Sequence, residues 1–259
     1  MTETKLVRPK DIIVSLTSHP ARMPVAHMAL RSLLTQTFKP GKVILWLSEE
    51  DFPNREADLP KRVLLLKSSG VSIEWCHDIK SYGKLIPTLT NYPEHIIVTA
   101  DDDIFYKNTW LKQLVMAYCN APSFIHCHRA RRLFFNKDTT VRRYHKWPVI
   151  KKRIPVSHKN FFNGCGGVLY PPKCLHEDVL NEELFMSLCP TGDDIWFWGM
   201  SVLNHVKTKV LPKIDFNLTL TPNSQDCALW LQNCRDKNDK MLDALFTHYP
   251  EILDIVRKD

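Results

Sequence analysis

The residues predict an α/β chain with a mostly parallel central sheet flanked by helices, and three observations carry that reading. Short runs rich in Val and Ile and poor in charge, at 11–17, 42–47 and 96–100, have the character of strands buried on both faces. The first two are joined by an amphipathic segment of helical length. This is a β-α-β unit, which requires parallel strands and a right-handed crossover. Polar and acidic residues collect where these runs end, at Thr17-Ser18, Ser48-Glu49 and Asp101-Asp102-Asp103. Ligands of open parallel sheets bind beyond the carboxyl ends of the strands.

In chain order, Asp11 to Thr17 is the first strand, and Thr17 to Arg22 a polar turn. A helix is expected from about Pro24 to Thr35, because Pro is tolerated in the first turn and Met28, Leu30, Leu33 and Leu34 make an apolar face. Lys42 to Leu47 is the second strand. Leu59 to Lys67 reads as a short helix stopped by Gly70, and Val71 to Trp75 alternates as a third strand. A Gly-containing turn, Ser81 to Pro87, leads into a helix that ends before Tyr92-Pro93. Ile96 to Ala100 is the fourth parallel strand, and a helix follows from about Thr109 to Cys119. Phe124 to His128 and Lys207 to Leu211 read as later strands. Asn217 to Gln225 reads as a polar turn, and Ala228 to Val256 as two helices broken near Tyr249-Pro250. In that tail Leu229, Leu231, Met241, Leu242, Leu245 and Phe246 are core candidates.

The 259 residues are 44% hydrophobic and 24% charged, proportions that allow a real core. Eight cysteines are scattered without a CxxC pair, the pattern of buried thiols in a reducing compartment. Met1 to Lys10 is polar, with no apolar signal core, and no window approaches the ~20 apolar residues that a spanning helix needs. The expectation is a cytoplasmic protein without an anchor of its own.

Four stretches carry chemistry. Side chains alternate along extended backbone, so Asp101 and Asp103 point the same way and form a hard oxygen site suited to Mn²⁺ or Mg²⁺. The competing reading is an Asp-rich turn that starts the next helix. Lys84, in its Gly-containing turn, is placed to meet a phosphate or else is a solvated surface lysine. Residues 129–159 hold eleven Lys or Arg against Asp138 alone, about +10 where the whole chain is +7, with Phe134, Phe135, Tyr144 and Trp147 interleaved. Such a stretch suits an anionic partner, whether sugar phosphate, phospholipid headgroups or nucleic acid, or else is a solvated loop or hairpin over the site. Three of the eight glycines fall at Gly164, Gly166 and Gly167, where backbone can approach a ligand. Finally, Asp193 and Asp194 precede Trp196 and Trp198. Acidic residues there satisfy a helix dipole, or supply a general base beside aromatic platforms for a sugar ring.

Taken together, Ser15-Leu16-Thr17-Ser18 with Arg22, Ser81 to Pro87, Thr99 to Asp103, Asn163 to Tyr170 and Thr191 to Trp196 resemble glycosyltransferases of the GT-A fold. More narrowly, the chain resembles bacterial transferases that build surface polysaccharides such as capsule, lipopolysaccharide and O-antigen. The resemblance covers nearly the whole chain. It implies one GT-A-like domain over 1–259, with a Rossmann-like nucleotide-sugar-binding half at about 11–122. A smaller acceptor and catalytic part would follow at about 123–226, and C-terminal helices at about 227–259.

It further implies a nucleotide-sugar donor, a UDP-sugar by preference, with Asp101 and Asp103 holding Mn²⁺ or Mg²⁺ as the DxD pair and Asp102 beside them. Thr17, Arg22 and Glu49 would meet base and ribose, Lys84 the diphosphate, and Gly164, Gly166 and Gly167 the donor sugar. Asp193 or Asp194 would be the base of an inverting transfer, with Trp196, Arg142 and Arg143 on the acceptor. The acceptor would be a saccharide or lipid-linked saccharide, reached from the inner face of the membrane through peripheral contact, with no nucleic acid partner. Such enzymes place a late histidine near the metal, for which His205 and His248 are the candidates. Two other readings stay open. A sugar-nucleotide pyrophosphorylase needs a Gly-rich turn after the first strand, which Ser18-His19-Pro20-Ala21-Arg22 lacks. A non-catalytic carbohydrate- or anion-binding protein would explain the basic stretch but not two carboxylate clusters.

Overall fold

Strand β1 (Ile12–Thr17) is followed by helix α1 (Met23–Leu34) and strand β2 (Lys42–Ser48), the expected β-α-β unit in parallel register. The structure, a computed structural model, describes residues 7–212, 219–222 and 236–259. A single α-helical turn, α2 (Lys61–Leu64), continues as a 3₁₀ turn to Ser69, and Gly70 ends it in the left-handed region at φ 108°. Strand β3 (Val71–Cys76), helix α3 (Ile86–Asn91) and strand β4 (Ile96–Thr99) complete the first half. Then come β5 (Ile104–Phe105), α4 (Trp110–Asn120), β6 (Ile125–Cys127), β7 (Ala130–Arg132), β8 (Asn160–Phe162) and β9 (Val168–Tyr170). Helices α5 (Glu182–Leu188) and α6 (Asp193–Leu203), strands β10 (Thr208–Val210) and β11 (Thr219–Leu220), and helices α7 (Lys237–His248) and α8 (Glu251–Lys258) follow. The break between the last two falls at Tyr249-Pro250, as expected. Leu229 and Leu231, and residues 217–218 and 223–225 of the expected turn, lie outside the described residues, and within that turn Thr219–Leu220 is instead strand β11, paired with β5.

Seven strands form the central sheet in the order β10-β6-β9-β4-β1-β2-β3. It is mostly parallel and flanked by helices, as the sequence predicts. The exception is β9, which runs antiparallel to both β4 and β6. The sequence gives no hint of β8 or β9. At three residues each they are too short to show a period, and the neighbouring glycines draw the eye to ligand approach instead.

Alternation along β1 sends Ile12, Val14 and Leu16 into a core with Val43, Leu45 and the apolar faces of α1 and α4. Across the sheet, α6 packs Trp196, Phe197, Trp198 and Met200 against Phe162, Val168 and Tyr170, with Met241, Leu242, Leu245 and Phe246 of α7 beneath. Trp196 is therefore a core residue. It is fully buried and its indole N–H donates to the Val179 carbonyl at 3.1 Å, so it offers no platform to an acceptor sugar. No helix among the described residues is long and apolar enough to cross a membrane. The six described cysteines are free thiols.

Candidate active site

The carboxyl ends of β1 and β4, the 3₁₀ turn Lys80–Lys84 and the start of α6 enclose a cavity of about 970 Å³. Among its lining residues are Thr17, Arg22, Lys84, Asp101, Asp102, Asp103, Asp193 and Asp194. Both acidic clusters found in the sequence thus face one space, and a single side chain joins them. Lys84 Nζ lies 3.1 Å from Asp101 Oδ1 and 2.9 Å from Asp193 Oδ2.

Local chemistry explains how a lysine comes to be buried there. The Tyr82 hydroxyl donates to the Cys189 carbonyl at 2.7 Å and pins the turn to the segment that starts α6. Gly83 lets the same turn close on β1, for a Cβ at that position would sit 3.0 Å from Thr17 Oγ1. Lys84 is then directed between the clusters. Burial pushes its ammonium down, but the carboxylates of Asp101, Asp193 and Asp194 outweigh that and hold it well above its ordinary value. It is charged throughout the neutral range, and the solvated-lysine reading fails.

The three aspartates form the turn between β4 and β5, and they do different things. Asp102 turns inward, accepting from Ser18 Oγ at 2.5 Å, with Arg22 Nη1 3.4 Å from its other oxygen. Burial pushes its carboxyl up to about 6. Asp103 pairs with Arg22 at 2.6 Å. Asp101 holds Lys84, and its own amide donates to Tyr106 Oη at 2.8 Å.

The carboxyl of Asp103 is raised, first by burial and then by the charge of Asp101, in spite of the adjoining Arg22. Asp101 and Asp103 thus bring two carboxylates to one cavity wall, each beside a basic partner, Lys84 and Arg22. Carboxylate oxygens are the donors a hard divalent cation takes, though among the described residues no group of three or more acidic, His or Cys side chains is placed to hold one.

Asp194, opposite, accepts from one donor with both oxygens. The Gly164 N–H lies 3.0 Å from Oδ1 and 2.9 Å from Oδ2. Burial and the neighbouring Asp193 push this carboxyl up to about 7, while Lys84 and the Gly164 amide pull it down. A carboxylate that titrates near neutrality is matched to general-base work. Gly164 is the glycine the arrangement requires, since a Cβ there would fall 2.8 Å from Asp194 Oδ1 and 3.1 Å from Lys84 Nζ. Gly164→Ala is expected to keep the fold and displace both charged groups. Turnover would fall at least about tenfold with an unfolding midpoint close to wild type, since a small misplacement of reacting groups is costly.

Other candidates fall outside the cavity. Glu49 is exposed and paired with Arg55 at 2.5 Å, while its neighbours Ser48 and Asp51 do line the space. Gly166 and Gly167 serve packing. A Cβ on Gly166 would meet Arg129 at 2.6 Å, and one on Gly167, at φ 85°, would meet the Trp110 ring at 2.3 Å. Arg142 lies over the Phe134 ring at 5.9 Å, and Arg143 is 3.3 Å from Asp236. Both border a separate cavity of about 330 Å³. His205 and His248 do not line the main cavity. In place of Arg142 and Arg143, the basic stretch contributes Arg129, Arg131, Tyr144 and His145 to the main cavity. Asn163, beside Gly164, also faces it. Sequence reasoning assigned no role to Asn163, Arg129 or Arg131. Their only signal was membership of the basic and glycine-rich stretches.

No family model matches the sequence, and no curated protein sequence matches it. Solved structures do. Residues 1–349 of S. aureus TarS superpose with a TM-score of 0.53 at 13% identity, over 92% of this chain and 72% of that one. The mannosyltransferase PcManGT from Pyrobaculum calidifontis, solved with GDP-Man and Mn²⁺, gives 0.52 at 12% identity over 97% and 76%. A cytidylyltransferase from Leptospira borgpetersenii serovar Hardjo-bovis gives 0.50 at 14% identity over 95% and 97%. At such identities the likeness is one of fold, which is shared by glycosyltransferases and nucleotidyltransferases.

Proposed function

We propose that the chain is a metal-dependent glycosyltransferase that takes a sugar from a nucleoside-diphosphate donor to a saccharide or lipid-linked saccharide hydroxyl. The observation that carries this reading is Lys84 lodged between Asp101 and Asp193, with Asp194 poised near neutrality on the same cavity. TarS has been solved with UDP and with UDP-GlcNAc, and PcManGT with GDP-Man and Mn²⁺, which supports a nucleotide-sugar donor here. Asp101 and Asp103 would hold Mn²⁺ or Mg²⁺, whose part when bound is to offset charge on the leaving diphosphate. Lys84 adds fixed positive charge beside the same leaving group. Asp194 takes the proton of the acceptor hydroxyl, whose oxygen bonds to the anomeric carbon as the bond from that carbon to the diphosphate oxygen breaks. The electron pair leaves with the diphosphate, and the sugar is inverted. Surface-polysaccharide synthesis at the inner face of the membrane is the setting the resemblance suggests. The basic residues that remain exposed on 137–153 suit peripheral contact with anionic lipid.

The Leptospira cytidylyltransferase gives the runner-up, a nucleotidyltransferase. A thermal-shift screen separates the two, because a ligand that binds only the folded state stabilises it, by ~2.7 kcal/mol at about a hundred times its Kd. A nucleoside diphosphate is expected to stabilise wild type only with Mn²⁺, and Asp103→Ala to lose that response. Stabilisation by a nucleoside triphosphate alone, with pyrophosphate released from added sugar phosphate, would establish the nucleotidyltransferase instead. No response to any nucleotide would sink both enzymes and leave a binding protein.

A further inference from the structure

We propose that the acceptor is an anionic saccharide, whose phosphate or carboxylate is received by Arg129 and Arg131 while Asn163 Oδ1 accepts from a hydroxyl next to the one that faces Asp194. The inference rests on the glycosyltransferase reading and names the substrate class for the acceptor side of that cavity.

Charge matching along the cavity wall is the first argument. Arg22 is answered by Asp102 and Asp103, and Lys84 by Asp101 and Asp193. Arg129 and Arg131 line the same cavity, both half-buried, and among the described residues neither has a carboxylate within ion-pair distance. Arg131 donates from Nη1 to the Trp147 carbonyl at 2.7 Å and lies over the Tyr144 ring at 5.3 Å. Its planar fork is therefore held in place with donors left over. Two half-buried guanidinium groups without a counter-ion are costly unless an anion visits them, and their geometry suits phosphate and carboxylate.

Asn163 supplies a second, independent argument. It is only 8% exposed, it lines the cavity, and its Oδ1 is buried without a hydrogen-bond partner. Its Nδ2 donates to Tyr144 Oη at 3.0 Å, which leaves Oδ1 as the group without a partner. The next residue, Gly164, holds Asp194. A sugar hydroxyl donating to Asn163 Oδ1 leaves a neighbouring hydroxyl of the same ring free to give its proton to Asp194, which lines the same cavity. Tyr144 ties the two arguments together. Its phenol is pushed up by burial and then by the charge of Asp194, so it lies within electrostatic reach of that carboxylate while carrying Arg131 on its ring. Asp194, Asn163, Tyr144 and Arg131 form one continuous wall, with the base at one end and the unanswered charge at the other.

Calorimetric titration with glucose 6-phosphate, glucuronate and glucose tests the proposal, with and without the nucleoside diphosphate and Mn²⁺. At least one of the anionic sugars is expected to bind where glucose does not, and the one that binds identifies phosphate or carboxylate. Arg131→Gln and Arg129→Gln should each weaken that binding about tenfold or more, as loss of a charge-assisted contact does. Arg129→Lys should restore part of it. Arg131 also braces the Trp147 carbonyl, so Arg129, whose side chain bonds no described residue, carries the test if Arg131→Gln unfolds. Anionic sugars that bind no better than glucose, or that keep their affinity in both variants, would overturn the proposal. Displacement of the sugar by the nucleotide would overturn it too, since the arginines would then serve the donor diphosphate. Arginine-dependent anion binding in a protein that no nucleotide stabilises would leave the anion site standing and remove the transferase reading alone.

Discussion

Lys84→Met is expected to lower stability by about 3–5 kcal/mol at pH 7 and to abolish measurable transfer. The magnitude follows from removing one side of a buried ion pair, which strands the other side without compensation. Here two carboxylates, Asp101 and Asp193, lose their counter-charge at once. The folded-state pKa of Lys84 is raised, so its contribution is fully present below its unfolded value near 10.4 and is lost only as pH climbs through the folded value. Urea unfolding of wild type and variant at pH 7 should therefore differ by nearly the whole amount, and a difference under about 1 kcal/mol would mean that solvent already screens the pairs. Lys84 also pulls the Asp194 carboxyl down. In any variant that retains turnover, the rising limb of the pH profile should move above about 7.

Asp194→Asn is expected to cut turnover about a hundred- to ten-thousand-fold, the range a general base contributes, while making the protein more stable in mild alkali. With a folded-state pKa of about 7 against an unfolded value near 3.9, the aspartate helps the fold only while protonated. Its contribution is complete below the unfolded value and is lost as pH rises through 7. The amide has no such penalty, and its oxygen still accepts from Gly164. Asp194 is partly exposed, so solvent reduces the gain to about 1–2 kcal/mol at pH 8. Release of nucleoside diphosphate and thermal melts from pH 5 to 8 check both halves. An active variant, or one no more stable than wild type at pH 8, would remove Asp194 from the role of base.

The part of the cavity formed by the strand ends was legible in the sequence because chemistry and period coincide there. Uncharged β-branched runs give buried strands, and the polar residues that end them are forced to one edge of the sheet. Thr17, Arg22, Lys84 and the three aspartates all reach the cavity for that reason. The far wall was less legible. Trp196 looked like a sugar platform because it follows two carboxylates, but a helix that starts at Asp193 turns residue 196 into the core. Arg142 and Arg143 were chosen from a basic stretch by charge alone, whereas the fold turns Arg129 and Arg131 inward and leaves the later pair outside. Glycine composition was equally ambiguous. Gly164 touches the charged groups, while Gly166 and Gly167 make room for Arg129 and Trp110. Those distinctions depend on pairings between residues far apart in the chain, which no local pattern encodes.

The antiparallel strand β9 has a consequence for how the molecule comes into being. It fills the gap between β4 and β6, although both of these precede it in the chain. During synthesis one edge of β4 therefore stays open until residue 170 has emerged, a pairing less local than that of β1 with β2 or of β6 with β9. Gly164, whose amide orients Asp194, lies four residues before β9 and arrives with it. Asp194, at the start of α6, follows later still and finds the Gly164 amide beside a sheet already closed by β9. A nascent chain that has built only its first four strands holds Asp101 to Asp103 without Gly164 or Asp194, so the two carboxylate clusters come to face one cavity only after the later strands and α6 are in place.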